Sequence, residues 1–74
     1  MKFSYDRSVD AAYIKLNEPS DWFPFGFTYT CDYKEVGGEI NLDFDGMGRL
    51  IGIEVLQASK KLPPSIFSHG ISGA

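Results

Sequence analysis

Between Phe23 and Tyr33, every odd-numbered position carries an aromatic residue or a cysteine, whereas the even positions hold Pro, Gly, Thr and Asp. Successive side chains of a β-strand point to opposite faces, so this alternation predicts a strand with one aromatic face. Pro24 has no N–H to donate to a sheet. We therefore expect a bent or edge entry over residues 22–26 and the strand proper over residues 27–36.

The same two-residue period recurs along the chain and predicts a mainly β fold. The further predicted strands are Lys2–Tyr5, Ala11–Leu16, Ile40–Phe44 and Leu50–Leu56. Together with the aromatic segment they make an antiparallel meander of about five strands. After the last strand, residues 58–62 can form one helical turn with Ser59 as its cap, because Pro63 and Pro64 prevent a longer helix.

Glycines suggest how the central strands pair. The Gly37–Gly38 dipeptide predicts a tight two-residue hairpin, since both central positions of the favoured turn need a positive φ. In that register Tyr33 lies opposite Leu42, and Asp32 lies opposite Asp43 as a like-charge pair.

The next turn is predicted at residues 45–48. A loop with an even number of residues places Leu42 opposite Ile51 and keeps the apolar faces of both strands on the same side. Gly52 on the other face then leaves room for a large neighbouring side chain.

A chain of 74 residues has room for one small domain. We expect residues 1–62 to form it, followed by a Pro/Gly/Ser-rich tail, residues 63–74, with Ile66, Phe67 and Ile71 as candidate anchors. In a domain of this size, apolar burial contributes about 110 kcal/mol and the loss of conformational entropy costs about the same. With one cysteine and hence no intrachain disulfide, such a chain is marginally stable or is completed by a partner.

The formal net charge of −3 opposes the neutralisation of phosphates that supplies most nucleic-acid affinity, so no nucleic-acid partner is expected.

No apolar run approaches the roughly 18 residues of a membrane helix, and the charged N-terminal segment is unlike a signal peptide. We therefore expect a cytoplasmic protein without a membrane partner. The single Cys31 fits a reducing compartment.

One stretch partly matches a calcium-binding helix-loop-helix template. The matching residues are Asp43, Asp45, Gly48, Leu50 and Glu54. Met47 stands where the template has Asp or Asn, and the segment alternates like a strand, so a hairpin turn is the favoured interpretation. The same carboxylates, Asp43, Asp45 and Glu54, leave open a small metal-dependent or carboxylate-based hydrolase as the alternative function.

The sequence assigns no catalytic, cofactor-binding or metal-binding residue. Asp6 and Asp10 flank a turn, where an Asp accepts a hydrogen bond from the backbone two residues on, and this favours a structural role over an acid–base pair. We expect Cys31 to be a small core residue, because the only histidine, His69, lies in the tail and cannot be placed beside it as a base. A non-enzymatic protein without a cofactor is therefore expected.

The aromatic residues of the central segment have three interpretations, namely the core of this chain, an interface with another copy, or a stacking platform for single-stranded nucleic acid. No Lys or Arg lies between Lys15 and Lys34, which favours core or self-association over nucleic acid. The candidate interface residues are Trp22, Phe23, Phe25, Phe27 and Tyr29. We expect a homo-oligomer, in its simplest form a dimer, with a regulatory or protein-binding role.

Residues at both ends of the chain resemble a known family. The segments that carry the resemblance are Tyr5-Asp6, Asp10–Leu16, Leu42–Asp45, Gly48-Arg49, Gly52–Leu56 and Ala58–Lys60. They are similar to the small bacterial proteins of domain-of-unknown-function family 2283, over about Met1 to Leu62. The resemblance implies a compact chain of strands with a short C-terminal helical piece, and it implies no activity. The family is usually polar between Leu16 and Tyr33, where this chain is aromatic.

Overall fold

Five antiparallel strands form a single sheet in the computed structural model, which describes residues 1–69, with only the backbone of His69. The strands are β1 (Lys2–Asp6), β2 (Ala11–Lys15), β3 (Phe25–Thr30), β4 (Ile40–Asp45) and β5 (Leu50–Leu56). The helices are α1 (Tyr33–Val36), α2 (Ala58–Lys61) and α3 (Ile66–His69). The predicted mainly β fold with a short C-terminal helical turn is confirmed.

The strand order across the sheet is β1-β2-β5-β4-β3. The strands β3, β4 and β5 follow one another as a meander, and the β1–β2 hairpin adds to it through β2, which pairs with β5. The segment after β2, with a 3-10 turn at Pro19–Asp21, therefore carries the chain from the strand next to the β1 edge to the opposite edge of the sheet. This connection makes β3 an edge strand.

The predicted hairpin at Gly37–Gly38 is wrong. The strand β3 ends at Thr30 instead of continuing to residue 36, and α1 follows. The Asp32 carboxylate accepts a hydrogen bond of 2.8 Å from the Lys34 amide and so caps the start of α1. Gly37, at φ 68°, ends this helix, so its positive φ serves a helix terminus and not a hairpin turn.

The predicted pairings are shifted, although the faces are correct. Leu42 lies opposite Tyr29 on one side and opposite Ile53 on the other, instead of opposite Tyr33 and Ile51. These shifts of four and two residues are even, and an even shift leaves side chains on their face of the sheet. The exceptions are the bulges between Phe25 and Phe27 and between Asp43 and Phe44. The predicted like-charge pair at Asp43 does not occur, because Thr28 stands opposite it.

The core lies on one face of the sheet, beneath the C-terminal helices. Its buried residues are Phe3, Ala12, Val55 and Ala58. Leu62, Ile66 and Phe67 pack against them from the helical side, and the Phe67 ring centroid lies 4.8 Å from that of Tyr5. Ile71 lies outside the described residues, and the domain boundary at residue 62 stays a prediction. Within residues 1–69, no helix is long and apolar enough to cross a membrane.

The start of α2 differs from the prediction. Gln57, at φ 51°, occupies the N-cap position and makes no side-chain cap hydrogen bond, so the proposed cap at Ser59 is wrong. The Ser59 amide is instead satisfied by a carboxylate from the β1–β2 turn, described below.

Candidate protein-interaction surface

Five side chains before and along β3 are exposed, and we call them the aromatic surface. They are Trp22, Phe23, Phe25, Phe27 and Tyr29, with exposed fractions between 40% and 72%. All six residues of β3 are exposed. The interpretation of these side chains as the core of this chain is therefore wrong, whereas the interface interpretation stays a prediction.

The aromatic surface is uncovered because the helices pack over the other end of the sheet. One transverse row on the apolar face contains Phe3, Ile14, Ile53, Leu42 and Tyr29, one residue from each strand. Phe3 at the β1 end is 4% exposed, whereas Tyr29 at the β3 end is 55% exposed. The same apolar row therefore begins in the core and ends in solvent.

The aromatic surface contacts the β4–β5 hairpin at two points. The Phe27 ring stacks on Phe44 with a centroid distance of 4.9 Å and an interplanar angle of 13°. The Gly46 amide donates a hydrogen bond of 2.8 Å to the Pro24 carbonyl. These contacts give the surface a defined shape.

Asp45 organises that hairpin. Its carboxylate is 1% exposed and accepts hydrogen bonds from the Met47 amide at 2.9 Å, the Arg49 amide at 3.0 Å and Arg49 Nε at 2.8 Å. Burial raises the pKa of Asp45, but the hydrogen bonds from Arg49 and Met47 lower it more, so the pKa lies below its usual value. The Arg49 guanidinium also donates to the Asp21 carbonyl at 3.0 Å, which ties the hairpin to the segment before β3.

The opposite face of the sheet is polar and is crossed by Tyr13. Its hydroxyl donates a hydrogen bond of 2.7 Å to Asp43 Oδ2, and Thr28 donates one of 2.6 Å to Asp43 Oδ1. The Tyr13 ring passes over Gly52 and fills the space that was predicted beside this glycine. Burial, followed by the Asp43 hydrogen bond and the charges of Asp43 and Glu54, raises the pKa of Tyr13 to about 12. At neutral pH this phenol is a hydrogen-bond donor and not a nucleophile.

The three carboxylates of the calcium and hydrolase hypotheses do not come together. Asp43 is bound by Tyr13 and Thr28, and Asp45 is bound within its own turn. Glu54 accepts a hydrogen bond of 2.9 Å from the Asn41 side chain. Among the side chains of residues 1–68, no group of three or more His, Cys, Asp or Glu could hold a metal ion.

Asp10 links the β1–β2 turn to α2. Its carboxylate accepts hydrogen bonds from the Tyr5 hydroxyl at 2.7 Å, the Ser59 hydroxyl at 2.7 Å and the Ser59 amide at 3.0 Å. The hydrogen bond from Tyr5, followed in size of effect by the two from Ser59, holds the pKa of Asp10 below its usual value. Tyr5, Ser59, Arg7 and Phe67 line a cleft of about 450 Å³ beside it.

The remaining candidate residues have structural surroundings. The Asp6 carboxylate accepts a hydrogen bond of 2.9 Å from the Ser8 amide, so the predicted bond to the backbone two residues on is confirmed. Cys31 is a half-buried free thiol after β3 and not a fully buried core residue.

Sequence reasoning missed the partners of Asp10 and Asp43. Asp10 and Ser59 are 49 residues apart in the chain, and no local pattern connects them. For Asp43 there was a signal, because Gly52 interrupts an otherwise apolar strand and so marks the place where the Tyr13 ring crosses.

Comparison with known proteins gives a family and no activity. No curated protein and no solved structure matches the chain significantly. One family model, described as a protein of unknown function, matches residues 2–59, which include every strand and the start of α2. This chain therefore belongs to the family of proteins of unknown function designated DUF2283.

Proposed function

We propose that this protein is a small non-enzymatic β-sheet module of the bacterial cytoplasm that forms a dimer through the aromatic surface. The observation that carries the proposal is β3, an edge strand that holds two Phe and one Tyr and is exposed along its whole length. Contiguous exposed apolar patches on small proteins are typical of association sites.

The size of the aromatic surface fits a second copy of this chain. An aromatic side chain offers roughly 200 Å², so the five partly exposed residues present roughly 550 Å² per chain. Two copies could then bury at most roughly 1,100 Å² of aromatic area, and a specific interface needs about 1,000 Å² in total. A symmetric dimer uses the same patch twice.

Charge also favours a second copy at this surface. Residues 22–31 contain no charged side chain, whereas the chain as a whole carries −3. Two like-charged chains can therefore meet here without bringing carboxylates together, and depletion of charge is typical of the centre of protein interfaces.

A regulatory or protein-binding role fits such a dimer better than hydrolysis. A hydrolase that used these carboxylates would require Asp45 to break its hydrogen bonds with the Arg49 side chain and the turn amides. It would also require Asp43 to break its hydrogen bond with Tyr13. The free thiol of Cys31 agrees with a reducing compartment.

The proposal is tested by measuring mass in solution from low to high micromolar concentration, by sedimentation or light scattering. We expect the wild type to reach the mass of a dimer and Tyr29→Lys to stay monomeric with an unchanged circular dichroism spectrum. Val9→Lys is the matched control, because Val9 is 62% exposed in the β1–β2 turn, away from the aromatic surface. This variant should dimerise like the wild type.

Trp22, the only tryptophan, lies in the aromatic surface and reports on association directly. Its fluorescence should change when the wild type is diluted and should not change for Tyr29→Lys. A wild type that is monomeric at high micromolar concentration, with fluorescence independent of dilution, contradicts the proposal.

A further inference from the structure

We propose that the dimer forms by antiparallel pairing of β3 with β3 of a second copy, which joins the two sheets into one of ten strands. This inference rests on the proposed dimer and specifies how it is built. The alternative would be two aromatic surfaces packed face to face with both β3 edges left open.

The backbone of β3 has free groups on its outer side. The Cys31 amide donates to the Ile40 carbonyl at 2.9 Å, in register with the β3–β4 pairs. Hydrogen-bonded pairs alternate along an antiparallel ladder, so Phe27 and Tyr29 also direct their N–H and C=O groups to β4. Thr28 and Thr30 therefore direct theirs away from β4, into solvent.

The hydrogen bonds between β4 and β5 agree with this assignment. The Leu56 amide donates to the Glu39 carbonyl at 3.0 Å, in register with the β4–β5 pairs. The odd-numbered residues of β4 thus bond to β5, and its even-numbered residues bond to β3. Each strand contributes alternate residues to each neighbour, and at β3 the outer neighbour is missing.

The two edges of the sheet differ in how they discourage pairing. The strand β1 carries a charged residue at each end, Lys2 and Asp6, and charges on an edge strand oppose pairing with another chain. The strand β3 has no charge and no proline between Phe25 and Thr30. Apart from the bulge at its start, between Phe25 and Phe27, β3 lacks these common protections.

Symmetry restricts the register of the pairing. A twofold axis between two antiparallel strands places one residue opposite its own copy. An axis at Thr28 or at Tyr29 brings outward backbone groups together, because Thr28 then lies opposite its own copy or opposite Thr30. We place the axis at Thr28 for the side-chain pairs that this register forms. With Thr28 at the axis, Phe27 of each copy lies opposite Tyr29 of the other, on the apolar face. Aromatic cross-strand pairs of this kind stabilise sheets, and two of them form by symmetry.

Disulfide cross-linking tests this register. In a Cys31→Ser background, Thr28→Cys places two thiols on residues whose Cα atoms would lie about 5.5 Å apart, within the range of a disulfide. We expect efficient cross-linking on mild oxidation. Thr30→Cys in the same background is the control, since the two copies of residue 30 would be roughly 13 Å apart. Preferential cross-linking of a Tyr29→Cys variant would overturn the register centred on Thr28.

A pair of substitutions tests the backbone hydrogen bonds. Thr28→Pro and Thr28→Val both remove the hydroxyl that bonds to Asp43, but only proline removes the outward N–H, and an edge strand tolerates proline there. Because two symmetry-related bonds are lost, Thr28→Pro should weaken the dimer about tenfold or more relative to Thr28→Val. Circular dichroism checks that both variants are folded.

The outcomes separate this inference from the proposed function. A wild type that never dimerises overturns both. A dimer in which Thr28→Pro behaves like Thr28→Val, and in which Thr28→Cys cross-links no better than Thr30→Cys, overturns edge pairing and leaves association through the aromatic surface in place. If Thr28→Pro is unfolded, preferential cross-linking at Thr28 or Tyr29 over Thr30 supports edge pairing, and no preference among the three positions overturns it.

Discussion

The Tyr13 hydroxyl on β2 bonds to the Asp43 carboxylate on β4, although β5 lies between the two strands. The contact is possible because the intervening residue is Gly52. A Cβ atom there would lie 1.7 Å from the Tyr13 hydroxyl oxygen and 2.4 Å from Cζ. The missing side chain at one position of β5 therefore allows a hydrogen bond that joins β2 to β4 across the polar face of β5.

Gly52→Ala should destabilise the protein. The added methyl group forces the Tyr13 ring off β5, and the hydrogen bond to Asp43 is lost with it. Overpacking of this kind costs about 1–3 kcal/mol, and each kcal/mol lowers Tm by roughly 4–8 °C in a domain of this size. Urea unfolding followed by circular dichroism measures the change. In a Tyr13→Ala background the same substitution should cost much less, because the ring is gone. Equal costs in both backgrounds would contradict the contact.

Tyr13→Phe should change how stability depends on alkaline pH. The pKa of Tyr13 is raised from 10.0 to about 12 in the folded protein, so the contribution of its neutral phenol is complete below pH 10 and is lost as the pH rises through 12. The free energy of unfolding of the wild type should therefore fall more steeply over this window than that of Tyr13→Phe. Tyr5, whose pKa is also raised by its hydrogen bond to Asp10, is present in both proteins and does not affect the comparison.

The control for this experiment is Tyr33→Phe. Tyr33 is 64% exposed, so removing its hydroxyl should leave the pH dependence of the wild type unchanged. At neutral pH, Tyr13→Phe should cost about 1 kcal/mol for the lost hydrogen bond. Parallel pH profiles for the wild type and Tyr13→Phe would show that the phenol does not contribute in this way.

Asp10→Asn should weaken the protein at neutral pH, and the difference should shrink in acid. Hydrogen bonds from Tyr5 and Ser59 lower the pKa of Asp10 from 3.8. The carboxylate therefore contributes stability above pH 3.8 that is lost as the pH falls through its lower folded pKa. Asn tolerates the left-handed backbone at this position, φ 53°, so the substitution removes the charge and one acceptor oxygen without adding backbone strain. Thermal unfolding at several pH values measures the gap to the wild type, and a gap that stays constant in acid would contradict the prediction.

The period of two predicted the strands and their faces from local sequence alone. The bounds of β5, Leu50–Leu56, agree with the prediction, and those of β1 and β2 differ by one residue. The period does not determine which residue lies opposite which on the neighbouring strand, because a register shifted by two or four residues preserves the same faces. Leu42 was therefore assigned the right face and the wrong neighbours.

The end of β3 shows a different limit. The alternation continues through Cys31 and Tyr33, yet Tyr33 begins α1, because Asp32 caps a helical turn that Gly37 can end. A local capping hydrogen bond thus outweighs the alternating pattern. The contacts of Asp10 with Ser59 could not be read from the sequence at all, since they depend on where the β1–β2 turn and α2 meet in the fold.

Gly26→Ala should be more damaging than Gly52→Ala. Gly26 lies at the bulge where β3 begins, and a Cβ atom there would be 2.4 Å from the Asp45 carbonyl oxygen and 3.0 Å from the Gly46 nitrogen. Both neighbours are backbone atoms, so no side chain can move aside, and the start of β3 must separate from the β4–β5 turn. We expect a cost near or above the usual upper value of about 3 kcal/mol for overpacking, with a change in the fluorescence of the nearby Trp22. Truncating Tyr13 should rescue Gly52→Ala and leave Gly26→Ala unaffected, and a wild-type Tm for Gly26→Ala would contradict the close approach at this bulge.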